Sequence, residues 1–130
     1  SWNRDGSKIA YVSPEHKVYV MDDDGAHRTQ RTFEDSIEAS PVWANTGDFI
    51  VYASNKAANE LKQPNFGIYI MDAKGNETQL TFNGSMDVCP ALSSDDRYLF
   101  FFSNRGAQHN GEEVLQIFRM EIPSGYSGSQ

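Results

Sequence analysis

The sequence predicts an all-β chain assembled from repeated, antiparallel four-stranded units. Three observations carry that reading: one block of sequence recurs, β-branched and aromatic runs alternate with Gly/Asn/Asp turns, and no long 3.6-residue apolar period occurs. The first block, Phe33 to Trp43, aligns without gaps on Phe82 to Leu92. The same offset of 49 residues carries Ile50-Val51-Tyr52-Ala53-Ser54 onto Leu99-Phe100-Phe101-Phe102-Ser103. An earlier copy runs from Trp2 through Asp5-Gly6-Ser7-Lys8-Ile9-Ala10-Tyr11, offset by 41 from Trp43. In the second block, Val18-Tyr19-Val20-Met21-Asp22 with Gly25 matches Ile68-Tyr69-Ile70-Met71-Asp72 with Gly75, and Ile117-Phe118-Arg119-Met120-Glu121 fills the same place in the third copy.

Taken in order, each unit reads as a strand (Ala39 to Trp43), a turn (Asn45-Thr46-Gly47-Asp48), and a second strand (Phe49 to Ser54). A variable loop follows, then Tyr69-Ile70-Met71, a turn at Gly75, and a strand from Thr78 to Phe82. Asn, Asp and Gly mark the turns because they tolerate positive φ. Pro41 and Pro90 fall near the start of their strands, where a missing N–H is tolerated. The best helical window, Lys56 to Leu61, reads as a single turn within a loop.

Four-stranded units of ~40–50 residues are the blades of a β-propeller. The chain therefore reads as a partial β-propeller of three four-stranded antiparallel blades, the first and last incomplete. Blade one covers about 1–38, blade two 39–87 and blade three 88–122, with a Ser/Gly-rich tail at 123–130. The segments Pro41-Val42-Trp43-Ala44-Asn45-Thr46-Gly47, Trp2 to Tyr11 and Tyr69-Ile70-Met71-Asp72-Ala73-Lys74-Gly75 resemble the WD40-like repeat of TolB-type propellers. That repeat reads Pro-x-Trp-Ser-Pro-Asp-Gly-Lys-x-Ile-Ala-Phe, then Ile-Tyr-x-Met-Asp-x-x-Gly, then a strand ending Leu-Thr. Asn3-Arg4 and Ala44-Asn45 depart from its Ser-Pro, Thr46 from its Asp and Leu92 from its Trp. The resemblance implies a periplasmic or cell-envelope protein that binds a protein or peptide partner without catalysis. The alternative it leaves is the propeller portion of a larger enzyme, such as an oligopeptidase-type hydrolase or a polysaccharide lyase, whose repeats are also similar.

Composition narrows the partners. The 130 residues carry 11 Lys+Arg against 18 Asp+Glu, a net charge of −7. Such a balance opposes non-specific binding to nucleic acid or anionic membranes and favours a basic protein or peptide partner. No apolar run approaches the ~20 residues of a membrane-spanning helix, so no direct membrane insertion is expected. One cysteine, Cys89, excludes an intrachain disulfide and a Cys-rich zinc site, and beside its proline it reads as a small buried residue. The chain opens at Ser1-Trp2-Asn3 without Met or a signal-type apolar stretch, which says nothing direct about export.

Candidate binding residues fall on the face carrying the links between fourth and first strands. Glu38 and Asp87 occupy equivalent positions three residues before the proline, so both are expected at the mouth of that face. A carboxylate there either satisfies turn N–H groups or contacts a ligand or cation. Asn104 and Arg105 follow the second strand of blade three, where Arg105 either clamps an acidic group or pairs with Asp87. His109 and His16 lie in variable loops of the same face, and variable loops on a fixed scaffold are where recognition tends to reside.

No catalytic set, metal site or cofactor motif is expected. Asp22-Asp23-Asp24-Gly25 resembles a calcium loop, but blade two carries Asp72-Ala73-Lys74-Gly75 there, and the EF-hand spacing is absent. Gly125-Tyr126-Ser127-Gly128-Ser129 fails the nucleophile-elbow pattern. A lyase would have only His16, His109, Glu112 and Glu113 to draw on. Because fewer than four blades cannot close a ring, further blades or self-association are expected. The residues expected to need that cover are Trp2, Ile9 and Tyr11 at one end, and Leu99, Phe101, Ile117 and Phe118 at the other.

Overall fold

A computed structural model describes residues 1–56, 66–82, 86–105, 108–109, 112–113 and 115–126, with backbone only at 108–109 and 112–113. The first sheet contains β1 (Lys8–Val12), β2 (Val18–Asp22) and β3 (Thr29–Gln30), paired in that order. Trp2 bridges Ile9 at its inner edge, the remnant of a first strand. The second sheet is complete: β4 (Glu38–Trp43), β5 (Ile50–Ser54), β6 (Gly67–Met71) and β7 (Glu77–Gln79). In the third, β8 (Asp87–Leu92) pairs with β9 (Tyr98–Ser103), and β9 pairs with β12 (Gln116–Glu121). Within the variable loop, β10 (Gln108–His109) and β11 (Glu112–Glu113) form a short hairpin that sequence reading leaves as loop. Its register pairs Gln108 with Glu113 and His109 with Glu112.

All pairings are antiparallel, and the three sheets pack in chain order as blades of a partial β-propeller: β4 lies against β1, and β8 against β4 and β5. The middle sheet is therefore buried on both faces, which explains its nearly continuous apolar strands. On β5, Ile50 and Tyr52 face the first sheet while Val51 and Ala53 face the third. On β6, Tyr69 and Met71 join the first cluster, and Ile68 and Ile70 the second. Side chains alternate between faces along a strand, so one run of residues feeds two cores. Each large side chain fully buried this way contributes roughly 1.5–3 kcal/mol.

Pro41 and Pro90 sit in β-bulges rather than at strand starts. The register shifts between Ala39 and Val42 and between Val88 and Ala91, with Ser40 at φ 52° and Cys89 at φ 53°. The bulge leaves the proline outside the regular ladder, where no N–H is needed. It also turns Cys89 outward, so the cysteine is exposed, not buried.

The open ends also differ from expectation. Leu99 and Phe101 are buried, and Phe118 packs against the core they share with the second sheet. The uncovered face of the third sheet instead presents Phe100 (37% exposed), Phe102 (40%) and Ile117 (66%). Strand alternation separates the two sets, since Tyr98-Leu99-Phe100-Phe101-Phe102 is apolar on both sides.

Candidate functional site

The links between blades are tied down by a repeated latch. Asn55 Oδ1 accepts from Ile37 N at 2.7 Å, and Asn104 Oδ1 accepts from Met86 N at 2.9 Å. The backbone answers in both places, with Asn55 N donating to Ile37 O at 3.2 Å and Asn104 N to Met86 O at 3.4 Å. Asn104, expected as a ligand contact, thus spends its carbonyl oxygen on positioning the link.

Behind each latch lies a buried carboxylate. Glu38 begins β4 and is 1% exposed; Ser36 Oγ donates to both its oxygens (3.1 and 2.9 Å) and Ser54 Oγ to one (2.8 Å). Asp87 begins β8 and is equally buried, with Arg105 Nη2 donating to it at 3.0 Å. The two acids expected at the mouth are buried: inward-facing strand positions and internal donors withdraw them from solvent. Arg105 takes the pairing alternative, and Ser103 Oγ accepts from its N and Nε at 3.1 and 3.0 Å.

Cations cap a stacked aromatic pair in two of the three blades. The pairs Tyr11–Tyr19, Tyr52–Tyr69 and Phe101–Phe118 sit directly across strand pairs, with centroids 5.7, 6.0 and 6.3 Å apart. Lys56 Nζ lies 5.6 and 4.8 Å from the Tyr52 and Tyr69 rings and pairs with Glu77 at 2.7 Å. The Arg105 guanidinium lies 5.1 and 5.3 Å from Phe101 and Phe118. Tyr52 donates to Glu77, and burial, then that hydrogen bond, pushes its phenol far above its ordinary pKa. It is locked neutral and serves as a donor. The equivalent position in blade one is Glu15, so no cation is supplied there by this register.

Exposed apolar groups stand near these links. Phe33 and Phe82, equivalent positions closing the Thr-Phe segments, are 74% and 75% exposed, and Ile37 is 41% exposed. Glu34 follows Phe33 in sequence and reaches Lys56 at 3.7 Å. The histidines do not converge: His16 is exposed in the β1–β2 loop, His27 pairs with Asp22 at 2.6 Å in the β2–β3 turn, and the side chain of His109 lies outside the described residues. Asp24 Oδ1 accepts from Ala26 N at 2.9 Å, so the Asp-rich segment is a closed turn. Among the described residues no cluster of His, Cys, Asp and Glu could hold a metal ion. Among the described residues no helix is long and apolar enough to cross a membrane.

One polar feature escaped sequence reading. Asp96 is completely buried at φ 60° and accepts from Asn45 N (2.8 Å), Thr46 N (2.6 Å), Thr46 Oγ1 (2.8 Å) and Gly47 N (3.1 Å). Burial raises its pKa, but the three N–H groups and the hydroxyl outweigh it and hold the carboxyl below its ordinary value. The only local signal is an aspartate at the place where the sister turns carry Gly6 and Gly47.

Comparison with solved structures identifies the arrangement as a TolB-like β-propeller fold. TolB from Agrobacterium tumefaciens superposes with a TM-score of 0.73 at 17% identity, over 93% of this chain and 44% of that one. TolB from Acinetobacter baumannii gives 0.66 at 18% identity, over 93% of this chain and 29% of that one. The tricorn protease gives 0.67 at 15% identity, over 95% of this chain and 13% of that one. The chain thus spans less than half the length of each. No protein-family model matches the sequence, and no curated protein does.

Proposed function

We propose that this chain is part of a non-catalytic propeller scaffold of the bacterial envelope that binds a protein or peptide partner on its link face. The supporting observation is the pair Phe33 and Phe82, each about three-quarters exposed at the same place in successive repeats. Scattered exposed apolar residues are ordinary, but the same aromatic wet twice at equivalent positions suits partner anchors. Glu38, Asp87, Asn104 and Arg105 hold the links next to these rings in sequence, and His109 remains a candidate contact from the variable loop of blade three. The net charge of −7 favours a partner carrying Lys or Arg, with association that weakens as salt rises. The uncovered faces at Phe100, Phe102 and Ile117 are met by further blades or by a second copy.

A panel of basic peptides bearing apolar residues tests this reading. Binding is expected to weaken at least tenfold in Phe33→Ala and Phe82→Ala with melting unchanged, since anchor residues cost about 2 kcal/mol or more on truncation. Equal affinity for wild type and both variants would overturn it. A second reading is favoured by the likeness to the tricorn protease: the chain is the propeller portion of a larger enzyme. A catalytic domain elsewhere in the same open reading frame would establish that alternative.

A further inference from the structure

The two junctions between neighbouring blades use equivalent repeat positions but are filled differently. Between the second and third blades, Phe49, Ile70 and Leu80 are buried in one apolar cluster with Tyr126 packed against it. The Tyr126 ring meets Phe49 edge-on at 5.9 Å, and its hydroxyl lies 3.0 Å from Thr78 Oγ1. Gly47 makes the approach feasible, because a Cβ there would stand 2.9 Å from Tyr126 O.

Between the first and second blades the same positions are Lys8, Val20 and Arg31, with Thr29 in the place of Thr78. Two apolar core residues have become cations, and the space is a cavity of about 270 Å³. Val20, Ile50, Met71 and Trp43 supply its apolar lining, and Lys8, Thr29 and Arg31 its polar one. Most of its charges are already spent. Lys8 Nζ and His27 Nδ1 both bind Asp22, at 3.0 and 2.6 Å. Asp72 accepts from Lys74 N, Asn76 N and Asn76 Nδ2, and Asp48 is exposed. Arg31 is the exception among the cations: among the described residues its guanidinium makes one long hydrogen bond, Nη2 to Ala73 O at 3.4 Å. A fork of five donors beside an apolar cavity is suited to a carboxylate.

We propose that this cavity binds a small aromatic carboxylate. The ring takes the place that Tyr126 fills at the other junction, and the carboxylate meets Arg31. The volume lies just below the ~300–1,000 Å³ of drug-sized pockets, which limits the guest to one ring with a short acidic arm. A hydroxyl opposite that arm would meet Thr29 as Tyr126 meets Thr78. The proposal does not depend on a partner binding at the link face.

Titration with 4-hydroxyphenylacetate, followed by amide NMR shifts, tests the proposal. Saturable one-to-one binding is expected, with shifts concentrated at Thr29 to Thr32, Trp43 and Met71 to Ala73. Phenol, which lacks the carboxylate, should bind at least tenfold more weakly. Arg31→Leu, which restores the apolar residue of the other junction, should weaken 4-hydroxyphenylacetate by tenfold or more, the loss of a charge-assisted hydrogen bond. Thr29→Tyr, at an exposed strand position, should block the cavity and abolish binding. Shifts that fail to saturate in the millimolar range, map to the link face, or persist unchanged in Arg31→Leu would overturn it.

Discussion

Replacing Asp96 by glycine separates what the carboxylate contributes from what the backbone costs. The residue holds φ 60°, a conformation that glycine adopts freely and Gly6 already uses at φ 74° in blade one. Its carboxylate takes four donors from the β4–β5 turn of the neighbouring blade, and Asn45 Nδ2 donates back to Ser93 O at 2.9 Å. A hydrogen bond to a charged group contributes about 1.5–3 kcal/mol net, and water can reach part of this turn, so the four together should cost about 3 kcal/mol on removal. Asp96→Ala should cost roughly 1 kcal/mol more than Asp96→Gly, because a Cβ is strained in the left-handed region. The pH dependence has a definite sign. The folded carboxyl titrates below its unfolded value, so the contribution is complete above the unfolded pKa near ~3.9 and is lost as pH falls through the folded one. Urea unfolding at neutral pH, read by tryptophan fluorescence with the m-value held constant, measures both variants. A loss under ~0.5 kcal/mol for glycine would refute the inter-blade clamp, since surface substitutions already scatter that far. Equal losses for glycine and alanine would refute the strain argument.

Removing the latch oxygens in Asn55→Ala and Asn104→Ala should destabilise by about 1 kcal/mol each, the ordinary net value of one hydrogen bond. Hydrogen exchange at Ile37 N and Met86 N, faster in the respective variant, would locate the effect, and unchanged exchange would show that other contacts hold the links. At the open face of blade three, sedimentation equilibrium should show self-association at micromolar concentration for this chain alone. The triple variant Phe100→Ser, Phe102→Ser, Ile117→Ser should shift it toward the 14.6 kDa monomer without loss of melting cooperativity. A wild-type chain that is already a stable, cooperatively melting monomer would sink the idea that this face needs a cover.

The strands were legible because turn residues and apolar runs recur at fixed offsets, and local rules govern both. Even the two-sided burial of β5 was written in Ile50-Val51-Tyr52-Ala53, which lacks the polar alternation of a half-wet strand. What stayed hidden depended on one-residue geometry or on distant partners. The left-handed turns at Ser40 and Cys89 reverse which neighbours face inward, and no composition rule distinguishes a bulged Ser-Pro or Cys-Pro from a regular one. Tyr98 to Phe102 offered five apolar residues and no polar one to choose the buried side. Equivalence identified Glu38 and Asp87 as a matched pair, yet their burial depends on Ser36, Ser54 and Arg105 folding back over them.

The repeat nonetheless provides an internal control, because each blade shows what its neighbour's positions do when filled in the ordinary way. Phe49 and Leu80 define a dry junction, and against it Lys8 and Arg31 are conspicuous substitutions in a place where a core residue would suffice. Arg31 is half-buried at the cavity wall with one long hydrogen bond to Ala73 O, so neither packing nor internal pairing accounts for a cation at that place. Asp96 makes the complementary case: an acid in a glycine's place, satisfied by four donors and therefore structural. Departure from the repeat marks both residues, and the completeness of their hydrogen bonding assigns one to the scaffold and the other to a ligand.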